Sequence, residues 1–373
     1  MYGRPEHLPD HMVAGALTAS WDLGTVTLEY QPVGCGSYHW RAASRDGTSW
    51  FVTVDDLAGR LRSADDSQEA AFQRLRAALV TARAVKDIGA SFVAAPTSTV
   101  DGEIAGRIGD RFAIALYPFV AGRPFDFGDR LAAADRAAVL QLLVALHATP
   151  ERVRGTALTE DFLPPGRAGL TGILAGLTAP WDGGPYGERA RALIGQHASA
   201  VERLLGQYDE LAARAREQAE RRVLTHGEPH PGNLIQTGAG WLLIDWDTTL
   251  LALPERDLWL LDPGDGSVTS AYQQATGRDV QPGPAVAVPA EVGALGRRRL
   301  HRAVRGGTRR QRGRPDRLAW SHRVPARYAG DERRDFSGPA AVARNRLRKE
   351  RQPYKRLTVG SHVTTRRHGA GES

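Results

Sequence analysis

The segment from His226 to Asp247 constrains this chain more than any other part of it. It reads His-Gly-Glu-Pro-His-Pro-Gly-Asn over 226–233, followed by two short apolar runs, Leu234-Ile235 and Trp241 to Ile244. The turn Thr237-Gly238 separates the runs, so they read as a small hairpin. The hairpin ends in Ile244-Asp245-Trp246-Asp247. One loop therefore holds a carboxylate, Glu228, and five residues on an amide, Asn233; a second loop, one hairpin away, holds two more carboxylates. Phosphoryl transfer uses this set of groups. A carboxylate orients or deprotonates the attacking hydroxyl, and oxygen ligands hold Mg2+ against the nucleotide phosphates. A lone His near a Glu and an Asn is usually a surface turn, and a lone Asp-x-Asp usually carries no function. Both together, at this spacing and around a hairpin, are hard to produce by chance.

The rest of the pattern predicts strands first and helices after. Val26, Leu28 and Tyr30 alternate with polar residues, Ser37 to Ala43 follows a Gly-rich turn, and Trp50 to Val54 follows Asp46-Gly47, a hairpin signal. Ser67 reads as the cap of a helix running towards Gly89, with Phe72, Leu75, Leu79, Ala82 and Val85 at helical spacing. Arg111 to Tyr117 is a further strand. After Gly122 the texture is helical. Val139, Leu142, Leu143 and Leu146 form a stripe that stops near Pro150. Leu193, His197, Val201, Leu204, Tyr208 and Leu211 fall on one face of a long helix over Tyr186 to Glu220. Residues 154–185 read as loop or short helical pieces. This order is an α+β arrangement in two lobes.

The 226–247 segment resembles the catalytic loop of aminoglycoside phosphotransferases and related small-molecule kinases, whose pattern is His-Gly-Asp, four residues, Asn. The resemblance spans roughly residues 20 to 280. It implies a protein-kinase-like two-lobed α+β fold, with a small β-rich N-lobe and a larger helical C-lobe. On it, residues 1–19 are an N-terminal extension, 20–118 the nucleotide-binding N-lobe and 119–283 the catalytic and acceptor-binding C-lobe. It also implies ATP or another nucleoside triphosphate, with Mg2+. Glu228 takes the catalytic-base position, Asn233 and Asp245 are catalytic residues that ligate Mg2+, and Asp247 is an auxiliary carboxylate. His226 shapes the loop by bonding backbone groups, and Asp257 is a structural hydrogen-bond acceptor. Glu228 departs from the usual Asp by one methylene, a change of reach that matters where alignment is worth several kcal/mol.

Pro32 to Ser37 resembles the Gly-rich phosphate loop of kinases, with Gly34, Gly36 and Ser37 as nucleotide-binding candidates. Leu116 to Val120 looks like the kinase hinge, and Tyr117 and Phe119 are the candidates whose backbone meets adenine. The strand lysine that binds the nucleotide phosphates in kinases is missing. Thr53 stands in its place, and Lys86 is the single lysine of residues 1–283. Arg41, Arg76 and Arg83 are the candidate substitutes.

Charge divides the chain. Residues 284–373 hold 23 Lys and Arg against 7 Asp and Glu, and residues 1–283 hold 26 against 35. The acidic part suits a cationic partner. The Arg-rich tail lacks any apolar period or nucleic-acid recognition motif. With chosen GC-rich codons and a shift of one nucleotide, Val288 to Val304 can be made to read as an amphipathic helix, and the tail is expected to be an out-of-frame, disordered segment. One cysteine, Cys35, excludes an internal disulfide framework. With no signal-like N-terminus and no membrane-length apolar run, the expected compartment is the cytoplasm. These readings point to an ATP-dependent phosphotransferase moving the γ-phosphoryl group to a hydroxyl of a small, cationic molecule such as an aminoglycoside or aminocyclitol. Homoserine, choline, methylthioribose and ketosamines remain open as acceptors. A kinase-like protein that binds nucleotide without turnover is the alternative, and nucleic-acid binding through the tail a lesser one.

Overall fold

A computed structural model describes residues 3–280. The expectations for the tail 284–373, and the C-lobe limit at residue 283, lie outside these residues. The fold opens with α1 (Asp10–Trp21), whose Val13, Leu17 and Trp21, four residues apart, share one buried face. With Leu8 they pack on Trp40, Val52, Ile114 and Leu116. Trp21 Nε1 donates to the Thr97 carbonyl at 2.9 Å. The N-lobe edge expected at residue 20 therefore falls inside a helix of the N-lobe core.

The sheet comprises β1 (Val26–Gln31), β2 (Tyr38–Ser44) and β3 (Ser49–Asp56), then, after the helix α2 (Gln68–Asp87), β4 (Gly106–Ile108) and β5 (Phe112–Pro118). All pairs are antiparallel, in the order β1-β2-β3-β5-β4. His39 lies opposite Thr53 and Thr53 opposite Ala115; Arg41 lies opposite Phe51 and Phe51 opposite Tyr117. Side chains alternate along a strand, so His39, Arg41, Phe51, Thr53, Asp55 and Tyr117 share one face, while Trp40, Val52, Val54 and Leu116 fill the core on the other. Ser67 caps α2 as expected, its Oγ accepting the Ala70 N–H at 3.0 Å. α2 buries Ala71, Leu75, Leu79, Ala82 and Val85, and packs on two 3-10 turns, Leu57–Arg60 and Trp246–Thr248. It thereby ties the sheet to the second carboxylate loop.

The C-lobe follows as β6 (Arg123–Pro124), α3 (Ala133–His147), α4 (Glu151–Arg154), α5 (Arg167–Ala175), α6 (Gly187–Glu217), β7 (Val223–Thr225), β8 (Leu234–Thr237), β9 (Gly240–Leu243), β10 (Leu250–Ala252), α7 (Glu255–Leu261) and α8 (Ser267–Thr276). β8 pairs with β9 and β6, and β7 with β10. Val139, Leu143 and Leu146 of α3 pack with Leu224, Leu234, Leu243, Trp246, Leu258 and Tyr272, so the core lies directly beneath the two loops. The long helix has its expected span, but its apolar face is largely uncovered. Leu193 is 57% and Leu204 64% exposed, and only Gly187, Ala212 and Ala215 are buried. Packing is concentrated at its C-terminal end, where Ala212 and Ala215 meet Phe162. No helix among the described residues is long and apolar enough to cross a membrane.

Candidate active site

The loop after β7 is held by its backbone. Asp257, fully buried on α7, accepts the N–H of His226 at 2.9 Å and of Gly227 at 2.6 Å. His147 of α3 bonds the same carboxylate through Nε2 at 3.0 Å, and its Nδ1 meets the Tyr272 hydroxyl at 2.8 Å. Burial works to raise the Asp257 pKa, but its hydrogen bond to His147 and the neighbouring positive groups hold it below the usual carboxylate value. The His226 ring does what the sequence suggests: Nε2 meets the Ile244 carbonyl at 2.9 Å, and Nδ1 accepts the Glu228 N–H at 3.3 Å. That pair of roles fixes a neutral ring with the proton on Nε2. Burial lowers its pKa, in keeping with that state. Arg256 was not singled out in the sequence. It runs beneath Gly227, giving Nη1 to Thr225 Oγ1 at 2.9 Å and Nη2 to the Thr248 carbonyl at 2.8 Å. One guanidinium thus joins both loops.

The two loops also meet directly. The Asn233 carbonyl accepts the Ile244 N–H at 3.0 Å, which brings Asn233 next to Asp245. The Asn233 amide nitrogen is committed to the Glu228 carbonyl at 2.9 Å, with His230 Nε2 at 3.3 Å, so Oδ1 is the atom turned to other uses. Trp246, fully buried, anchors the second loop by donating Nε1 to the Leu243 carbonyl at 2.9 Å, and it meets the His226 ring edge-on at 4.7 Å. Asp245 then adopts a left-handed backbone, φ +65°, a conformation that among the described non-glycine residues it shares with Asp22 and Phe162. The residue as a whole remains solvent-accessible, while its carboxyl lies among other protein groups. Repulsion from Asp247, then desolvation, then Glu228 push its pKa well above the usual value, against the pull of Arg60. Glu228, Asp245 and Asp247 therefore form one field of negative charge.

On the N-lobe side the candidates divide. Gly34 has φ +68°, and a Cβ there would come within 3.1 Å of His39 Nε2, so this turn requires glycine. Gly36 is exposed, as a phosphate loop needs. Ser37 is buried, and its hydroxyl donates to Asp55 Oδ1 at 2.5 Å, an engagement the sequence does not reveal. At the expected hinge, the Phe119 N–H is taken by the Ser49 carbonyl at 3.1 Å. Antiparallel alternation then turns the backbone of Tyr117 and Phe119 towards β3 and that of even-numbered residues away from it. The Leu116 carbonyl, bonded to the Thr97 N–H at 2.7 Å, obeys this rule. By the same alternation the Pro118 carbonyl points away from β3, whereas the backbone groups of Tyr117 and Phe119 point towards it. The Tyr117 side chain faces the carboxylates: burial, then Asp55, Asp245 and Asp247, push its phenol pKa up, against a smaller opposing pull from the neighbouring Thr53.

None of the three arginines considered as lysine substitutes reaches this field. Arg41 lies over the Phe119 ring at 4.6 Å, Arg76 pairs with Glu103 at 2.7 Å and Arg83 with Asp87 at 2.8 Å. Arg60 does reach it. From the turn after β3 it pairs with Asp55 at 2.6 Å and with Asp247, 187 residues away in sequence, at 2.5 Å.

Mg2+ fits this donor set. Among the described residues no three His, Cys, Asp or Glu side chains gather closely enough to hold a metal unaided. Mg2+ does not need such a cage, since one or two protein oxygens plus phosphate oxygens and water suffice. Asp245 carries a carboxylate destabilised by like charge, and the Asn233–Ile244 backbone bond brings Asn233 within one residue of it; a divalent cation would relieve the repulsion that raises the Asp245 pKa.

Known proteins resemble this chain in sequence and in fold. The sequence model of the phosphotransferase enzyme family matches residues 39–287, well over half the chain. Protein StrN of Streptomyces griseus is 28% identical over 250 residues, covering 62% of this chain and 67% of that protein. A spectinomycin phosphotransferase, solved with ADP and spectinomycin, aligns with a TM-score of 0.52 and 17% identity over 79% of this chain and 87% of its own. Its AMP-bound complex aligns with the same TM-score and identity over 77% of this chain and 92% of its own. At that identity the likeness concerns the fold, a small antiparallel sheet lobe joined to a helical one. By its sequence, and with a fold to match, this chain belongs to the phosphotransferase enzyme family.

Proposed function

We propose that this chain transfers the γ-phosphoryl group of ATP, or another nucleoside triphosphate, to a hydroxyl of a small cationic molecule, with an aminoglycoside or aminocyclitol as the first class to test. The observation that carries this reading is the meeting of Glu228, Asn233 and Asp245 on two loops joined by the Asn233–Ile244 bond. Glu228 accepts the acceptor's proton as its oxygen bonds to the γ-phosphorus, while the bridging bond to the β-phosphate breaks and the nucleoside diphosphate leaves. Asn233 Oδ1 and Asp245 would hold Mg2+, which would supply charge neutralisation at the phosphates. The Pro118 carbonyl, turned away from β3, is an acceptor suited to a purine edge. The preference for a cation rests on the excess of 35 acidic over 26 basic residues in 1–283. The structural relatives bind spectinomycin and nucleotides, which supports the same substrate pair here.

The test is diphosphate release with Mg-ATP against a panel of aminocyclitols and neutral alcohols. Acceptor-dependent release is expected, and Glu228→Gln should lower kcat by about 10^2- to 10^4-fold, the usual range for a positioned base. Nucleotide binding without acceptor-dependent release would favour the second reading, a kinase-like binder without turnover. Thr53 at the lysine position and the longer reach of Glu228 are the features that favour it.

A further inference from the structure

We propose that Arg60 is the phosphate-binding cation of this chain, supplied from the turn after β3 in place of a lysine on the strand. The proposal rests on the nucleotide-dependent reading above and adds a residue to it. The usual lysine position is occupied by Thr53, opposite Ala115 on β5, so no charge is available there. Arg60 is the guanidinium that enters the carboxylate field from the N-lobe. Its Nε and Nη2 donate to Asp55 Oδ1 at 3.1 and 2.6 Å, and Nη2 also meets Asp247 Oδ2 at 2.5 Å.

Two further contacts place this group where phosphates would lie. Asp55 is also the acceptor for Ser37, the last residue of the Gly-rich turn, so Arg60 is one carboxylate away from the end of that loop. Asp247 is two residues from Asp245, so the other end of the same guanidinium borders the cation site. Arg60 Nη1 has no hydrogen-bond partner among the described residues, and the side chain retains 24% exposure. Asp55 and Asp247 fix the plane of the guanidinium and leave one nitrogen and one edge for a ligand. A guanidinium held this way suits two oxygens of a di- or triphosphate better than a single ammonium does. The acidic partners have a second consequence. Without nucleotide they neutralise Arg60; when phosphates and a divalent cation arrive, Asp247 can turn from Arg60 to the cation, and Arg60 to the phosphates.

The experiment compares ADP with adenosine, each with Mg2+, by calorimetric titration of the full chain and of Arg60→Ala, Arg60→Gln and Arg60→Lys. Wild type should bind ADP more tightly than adenosine. Arg60→Ala and Arg60→Gln should weaken ADP by roughly 10- to 100-fold, as expected for loss of a charged hydrogen-bonding partner, and leave adenosine within about twofold. Arg60→Lys should retain part of the ADP preference. Adding Thr53→Lys to Arg60→Gln, which returns a cation to the strand, should restore ADP binding in part. Unchanged ADP affinity in Arg60→Gln would overturn the assignment. So would equal loss of ADP and adenosine in a variant that still melts cooperatively, because that pattern marks a role in holding the lobes together. Wild type that binds neither ligand would contradict the phosphotransferase reading itself, and this assignment with it.

Discussion

Gly227 has φ +102°, and a Cβ there would lie 2.2 Å from Arg256 Nη1. A side chain would therefore have to displace the guanidinium that joins Thr225 to Thr248. Gly227→Ala should cost about 2–4 kcal/mol in urea unfolding, combining an unfavourable backbone with overpacking. Asp257 is the second residue on which the loop depends. Asp257→Asn removes a buried charge that accepts two backbone N–H groups and His147, and should cost about 3–5 kcal/mol at pH 7. Its pKa is depressed below 3.8, so the stability it contributes is present above that value and lost as pH falls through the folded-state pKa. The gap between wild type and Asp257→Asn should therefore shrink in unfolding curves taken below about pH 4. Loop residues such as His226, Glu228 and Asn233 were legible because their spacing is local. Arg256 and Arg60 were not, because what each arginine touches is set by elements far away in sequence.

At the scale of elements, strands and caps follow local rules and were readable: β1 to β3 and the Ser67 cap of α2 fall where alternation and turn residues put them. α1 was missed, since three apolar residues at a spacing of four say nothing about which sheet they will cover. It is a core element, and Leu17→Ala should cost about 2–5 kcal/mol by thermal or chemical unfolding, as truncation of a fully buried leucine does. A change of less than about 0.5 kcal/mol would mean that α1 is dispensable to the N-lobe. The hinge shows another limit of sequence reading. Leu116 to Val120 was recognisable as a hinge, but which residues turn their backbone outward depends on strand register. The Ser49–Phe119 hydrogen bond fits that register, which turns the backbone of Tyr117 and Phe119 towards β3 and the Pro118 carbonyl away from it. On α6 an apolar stripe was visible in the sequence, but a stripe alone does not say what covers it.

For the whole molecule, titration couples the site to stability. Burial lowers the pKa of His39 and His230 to about 4, from 6.5. Between those values the unfolded chain binds more protons than the folded one, so stability rises with pH across this window. Acidification from pH 7 to 4 should cost on the order of 2 kcal/mol per histidine, and His230→Gln should flatten that part of the profile. The negative field of Glu228, Asp245 and Asp247 has the opposite tendency. It disfavours the ionised, ligand-free site at neutral pH, and a cation removes the penalty.

Asp245→Asn separates the two effects, because it relieves repulsion in the free protein while removing a ligand for the cation. The most direct measurement is the Mg-ATP-induced shift in Tm of wild type and Asp245→Asn. At 100 times Kd, wild type should rise by about 5–10 °C, while Asp245→Asn, folded and no less stable without ligand, should shift by less than about 2 °C. Equal shifts in the two proteins, or no shift in a wild type that melts cooperatively, would contradict the assignment of this site.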